Sequence, residues 1–234
     1  REWLFNWGCW VGETRVRLLA PVERRLTMLG WSGAPAAQER LLNGACERVW
    51  RSQQTEAVEL EPDMPSWVRP YATIRVCDRT AWPEVAALFA PHYSTSGVLP
   101  PGLEEDAAGL VGLEPKARAA AALRLVQSAL RYQSVSLGEG GFVPRSLADI
   151  WVSRSGDCKD ASRLLVALLT RLGLTAHPVL VNTWKGWILD QEPASPLSFD
   201  HCIVGLTLGA ETFWLDPTMA PQAEELDTIY QPRF

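Results

Sequence analysis

Three side chains far apart in the sequence carry the chemistry this chain could perform: Cys158, His201 and Asp216. Cys158 lies in Ser153-Arg154-Ser155-Gly156-Asp157-Cys158-Lys159-Asp160, His201 in Phe199-Asp200-His201-Cys202-Ile203-Val204, and Asp216 in Phe213-Trp214-Leu215-Asp216-Pro217. A thiol followed by an imidazole and then a carboxylate is the set that thiol acyl transfer requires: nucleophile, base and orienting acid. A single cysteine is as readily a small buried hydrophobe. The two partners downstream give this one a catalytic reading.

The elements that must position them can be read from spacing. Gly156 and Asp157 are helix-start residues, and Ala161, Leu164, Leu165, Leu168 and Leu172 then recur at helical spacing. Cys158 therefore falls in the first turn of a helix with a core face, where the dipole and unpaired N–H groups favour a thiolate. Asp157 reads as the helix cap, while Lys159 and Asp160 have no role derivable from the sequence. Phe199 to Leu208 and Thr212 to Pro217 read as antiparallel strands around Gly209. A loop centred between Leu208 and Gly209 sets His201 directly across from Asp216; a loop centred one residue later leaves Asp216 diagonal. Cys202, beside His201 on a strand, points to the opposite face and reads as core. In this arrangement Asp216 orients the ring, His201 pairs with the thiolate and later protonates a leaving amine, and Cys158 attacks an acyl carbon. The Cys158 backbone N–H supplies one oxyanion donor, and Tyr132, Gln133 and Trp151 are open candidates for the second.

The three motifs in this order resemble the bacterial transglutaminase-like superfamily. The core of that group carries Gly-Asp-Cys-Lys-Asp, a strand with the base in a Phe-Asn/Asp-His pattern, and Trp-Leu-Asp-Pro. The resemblance covers about residues 95–222, and Gly138-Glu139-Gly140-Gly141-Phe142-Val143-Pro144-Arg145 resembles the lead-in of the group. It implies an α+β fold with a papain-like core of helices on an antiparallel sheet, and the Cys158, His201, Asp216 constellation. It also implies a peptide or protein substrate and a place in the cell envelope or periplasm, since relatives often carry export signals or anchors; no cofactor is expected, and a calcium requirement is open. The superfamily includes proteases, amide-hydrolysing enzymes and protein cross-linkers, so the acceptor is open between water and an amine. A catalytically silent binding or scaffold module is the alternative, against which the intact trio speaks. A zinc site on the same three residues lacks a fourth ligand and ligand-pair spacing.

The whole chain sets further bounds. Its 234 residues, 47% of them hydrophobic, can bury one large core or two small ones. A net charge of -5 and the lack of a basic run exclude a nucleic-acid footprint. No stretch reaches about 18 uninterrupted apolar residues, the length a membrane span needs. The five cysteines, Cys9, Cys46, Cys77, Cys158 and Cys202, form neither a disulfide framework nor a metal finger. The start at Arg1, without a methionine, points to a fragment or a processed chain.

Taken in order, residues 1–80 alternate in the manner of half-buried strands at Thr14 to Leu18, Arg24 to Leu29 and Tyr71 to Val76. This segment resembles the later part of an accessory β-domain, so a partial β-sandwich with an exposed edge is expected. Seven of the eleven tryptophans fall within residues 1–82; sheet packing explains them, and a surface cluster would instead suggest carbohydrate or peptide binding. Ala81 to Tyr93 reads as a helix, and 81–112 as helix and linker before a catalytic domain over 113–234. Lys116 to Tyr132 and Arg145 to Val152 are expected helices. Gly138 to Gly141 lacks the Lys-Ser/Thr of a phosphate loop and reads as a turn. Gly173 is a C-cap, Ala176 to Asn182 a buried strand with His177 structural, and Thr183 to Ser198 a loop placed to form a lip of a substrate cleft.

Overall fold

The protein is described by a computed structural model over residues 1–65, 67–79, 81–95, 98–134 and 141–232. The fold is α+β and divides into two compact units: Arg1–Ala86 with Trp184–Ser198, and Ala87–Thr183 with Phe199–Phe234.

The first unit is β-structure. Its strands are β1 (Glu2–Leu4), β2 (Val11–Pro21), β3 (Thr27–Trp31), β4 (Gln38–Leu42), β5 (Ala45–Thr55) and β6 (Thr73–Cys77). They form two antiparallel three-stranded sheets, ordered β1-β6-β3 and β2-β5-β4. Strand β6 is buried at every position, because it runs between β1 and β3. Phe5, Trp50, Ile74 and Val76 form a core with Trp3, Val16, Leu18 and Met28 around it, drawing residues from both sheets. Trp31 is half-buried under the Arg69 guanidinium, 4.0 Å from the ring centre.

Residues 184–198 are part of this first unit. Glu192 explains why. Its carboxylate is fully buried and is paired with Arg69 at 2.7 Å, with Lys185 at 2.8 Å and with Arg75. Burial alone would raise the Glu192 carboxyl, but Lys185 and Arg75 outweigh it and hold the group below the ordinary range.

The second unit begins within α1 (Trp82–Tyr93). It continues through α2 (Pro101–Ala108), α3 (Pro115–Ala129), β7 (Arg131–Tyr132), α4 (Leu147–Ser153), β8 (Ser155–Gly156) and α5 (Cys158–Arg171). It ends with β9 (Thr175–Val181), β10 (His201–Leu208) and β11 (Glu211–Leu215), an antiparallel sheet ordered β11-β10-β9. Helix α5 is the centre: Leu164, Leu165, Ala167, Leu168 and Leu169 have no exposed surface, and the helix packs against α3, β9 and β10. Gly173, at φ +77, ends it in the left-handed conformation expected of a C-cap glycine.

Within the stretch read as helix and linker over 81–112, Leu99, Leu103 and Ala107 are buried in one core with Leu164 and Leu168, so α2 is a layer of this unit. Helix α3 ends at Ala129 rather than Tyr132, because Leu130 turns extended and Arg131–Tyr132 pairs in parallel with Ser155–Gly156. The turn expected at Gly138-Glu139-Gly140 lies outside the described residues.

Candidate active site

Cys158 is the first residue of α5 and is 8% exposed. Asp157 caps the helix, its carboxylate accepting the Lys159 N–H at 3.0 Å and the Asp160 N–H at 3.3 Å. The two residues without a role in the sequence reading acquire one here. The Lys159 ammonium pairs with the buried Asp157 carboxylate, and Asp160 accepts both the Arg145 backbone N–H and its Nε at 2.8 Å. Gly156 is fixed by space: a Cβ there would lie 2.7 Å from the Asp160 Cβ. Any side chain would force the first turn of α5 apart.

His201 opens β10, and its Nε2 lies 2.8 Å from Asp216 Oδ2. The expected register is corrected. Strands β10 and β11 pair from Val204↔Leu215 to Leu208↔Glu211, closed by a two-residue turn at Gly209–Ala210. Continued three steps beyond its end, that ladder would set Thr218, not Asp216, across from His201. The turn is centred one residue later than expected because Gly209, at φ +61, takes its first position. The partner thereby moves by two residues, which preserves the face. Diagonal positions are about 7–8 Å apart, and Asp216, just past the end of β11, closes that gap with its side chain.

The carboxylate is held from both sides. Oδ1 accepts the Thr218 N–H at 2.9 Å and the Thr218 hydroxyl at 2.7 Å, leaving Oδ2 for the imidazole. Burial alone would raise the Asp216 carboxyl, but His201 and Thr218 outweigh it and keep it below the ordinary range. For His201, burial alone would lower the value, and the hydrogen bonds to Asp216 and Cys158 then carry it up to about 10. With Nε2 committed to Asp216, Nδ1 is the nitrogen that remains for the Cys158 sulfur.

Two buried polar residues that the sequence reading missed set these distances. Ser162, one turn after Cys158, donates its hydroxyl to the Cys202 carbonyl at 2.9 Å, tying α5 to β10 beside the imidazole. Gln127 on α3 donates to the Asp216 carbonyl at 3.0 Å, and its Oε1 accepts the Gln222 N–H at 3.0 Å. Neither residue belongs to a sequence motif; their signal is a polar side chain on an otherwise apolar helix face.

Of the three open oxyanion candidates, Trp151 is 5% exposed in the core, and its indole Nε1 faces Gly102. It is removed from the list. The Gln133 backbone N–H is used by the Gly156 carbonyl at 2.9 Å, while its side chain is exposed. The half-exposed Tyr132 phenol is raised by burial and then by the charges of Cys158 and Asp157, which puts it at the rim of the site. His177 lies on β9 across from Gly205 and away from this constellation. Cys202 is fully buried. Among the described residues no group of three or more His, Cys, Asp or Glu side chains is placed to hold a metal ion.

No protein-family model matches the sequence, and no curated protein matches it either. Among solved structures the chain is similar to one described as a "putative protease" from Parabacteroides distasonis, at a TM-score of 0.75 and 15% identity. That match covers 96% of this chain and 43% of the other, so the chain spans less than half of that protein. A "putative cysteine protease" from Cytophaga hutchinsonii matches at a TM-score of 0.41 and 16% identity, over 97% and 77% of the two chains. The periplasmic domain of TgpA from Pseudomonas aeruginosa matches at 0.38 and 15%, over 92% and 75%. At these identities the Parabacteroides similarity shows a shared fold.

Proposed function

We propose that the chain is a transglutaminase-like cysteine enzyme that cleaves or transfers amide bonds of peptide or protein substrates through a thioester. The observation that carries this reading is the His201–Asp216 bond of 2.8 Å, with Cys158 at the mouth of α5 among the neighbours that raise the same imidazole. An imidazole raised to about 10 is protonated at neutral pH, so it favours a thiolate beside it. The sulfur lone pair forms the bond to the acyl carbon, and the carbonyl π pair moves to oxygen. The Cys158 N–H, at the helix start, serves as one donor to that oxygen in this reading. As the tetrahedral species collapses, the C–N bond breaks and the His201 proton passes to the departing nitrogen. The thioester remains on Cys158. Water then gives the acid and an amine gives the new amide, with His201 taking the acceptor's proton and regenerating the pair. Residues 1–80 fit an accessory domain of partial β-sandwich form.

The test is incubation with a peptide library, with and without a primary amine, read by mass spectrometry. The expected result is cleavage, or amine incorporation, that Cys158→Ala abolishes. Turnover that survives Cys158→Ala, or none under any acceptor, contradicts the proposal.

A further inference from the structure

Behind the nucleophile lies a buried polar group that the acyl-transfer chemistry above does not use. Tyr93, the last residue of α1, is 4% exposed, and among the described residues its hydroxyl makes no hydrogen bond of ordinary geometry, only a weak approach to the Cys202 sulfur. It packs in one cluster with Cys158 and Cys202, flanked by Phe89 and Leu180. A phenol buried among apolar groups loses its water and gains little in return, so a hydroxyl of this kind calls for an explanation.

The surroundings supply one. Burial first, then the neighbouring Cys202, Cys158 and Asp157, push the Tyr93 hydroxyl up, so it remains a donor throughout the working pH range. Two sulfurs face it. Cys202 is pushed up to about 12, chiefly by burial; it stays a neutral thiol, which is a weak acceptor. Cys158 differs, because a proton given to His201 leaves a thiolate, and a charged acceptor makes a far stronger bond. The other titratable groups around this sulfur are His201 on β10, Asp157 at the helix start, and Tyr132 on β7.

Resting on the acyl-transfer reading, we propose that Tyr93 is a further catalytic residue, its hydroxyl donating a hydrogen bond to the Cys158 thiolate beside the His201 imidazolium. The charged sulfur gives the buried hydroxyl a stronger acceptor than the neutral Cys202 thiol. The bond also makes the resting ion pair depend on a residue 65 positions upstream of the nucleophile.

The test is the pH profile of iodoacetamide alkylation of the full chain, read at Cys158 by mass spectrometry with exposed Cys9 as internal reference. In Tyr93→Phe the Cys158 midpoint is expected to move up by about one pH unit, the size a charge-assisted hydrogen bond gives. The plateau rate and the Cys9 profile stay unchanged. Replacement of Tyr93 alone by 3-fluorotyrosine, nearly isosteric and a stronger donor, is expected to move the midpoint down. It decides the matter if the Phe variant does not fold. Coincident Cys158 profiles in the wild type and both variants overturn the role of Tyr93 alone. A wild-type Cys158 profile matching that of Cys9 overturns the acyl-transfer reading and this inference with it.

Discussion

At the scale of the residue, the site is a chain of donors and acceptors in which each group is held by the next. Thr218 fixes Asp216, Asp216 fixes His201, and His201 faces Cys158. The protonation of His201 is therefore linked to folding. Its value in the folded chain, about 10, lies above the ordinary 6.5. A raised value means that the pair's contribution to stability is fully present below about pH 6.5 and is lost as pH rises toward 10. Urea denaturation at pH 6, 8 and 10 should show wild-type stability falling across that window, with a flatter course in His201→Gln. Equal slopes would mean that the imidazole is not held as a cation. The sequence reading named Cys158, His201 and Asp216 from their motifs, and the structure places His201 against Asp216 at 2.8 Å. The roles of Ser162, Gln127 and Tyr93 were not legible there, because their contributions depend on contacts across 40, 89 and 65 positions of sequence.

At the scale of the element, helical and strand periodicity located α1, α4, α5, β9 and the β10–β11 hairpin, with boundaries displaced where hydrogen bonding overrides pattern. Helix α3 shows the override. Its apolar spacing runs on to Tyr132, yet β8 needs a partner, and pairing takes Arg131 and Tyr132 out of the helix. The β4–β5 hairpin has a local signature: Asn43-Gly44, at φ +48 and +80, is the dipeptide that a two-residue turn favours. The segment 184–198 could not be placed by pattern, since one buried carboxylate rather than periodicity decides where it packs. Glu192→Ala leaves Arg75 and Lys185 without that partner. Breaking a buried pair in this way typically costs about 3–5 kcal/mol. The expected outcome is that loss in chemical denaturation, together with new protease cleavage within 184–198; an unchanged midpoint and an uncleaved segment would refute the anchoring role.

At the scale of the whole molecule, the α+β class was what the family resemblance implied, while the β-rich first part and the helices of the second followed from alternation and helical spacing. The exchange of 184–198 into the first unit did not, because contact between distant segments leaves no local trace in a sequence. All three members of the candidate site lie in the second unit, on α5, on β10 and just past β11. That placement puts the whole candidate constellation in one folded unit, so the proposed activation can be tested without knowing the substrate. The direct measurement is brief iodoacetamide exposure of the intact chain at pH 6, with labelling at Cys158 and at exposed Cys9 compared by mass spectrometry. The account predicts that Cys158 is labelled first despite its burial, and that His201→Gln removes the preference; Cys9 labelled ahead of Cys158 in the wild type would contradict it.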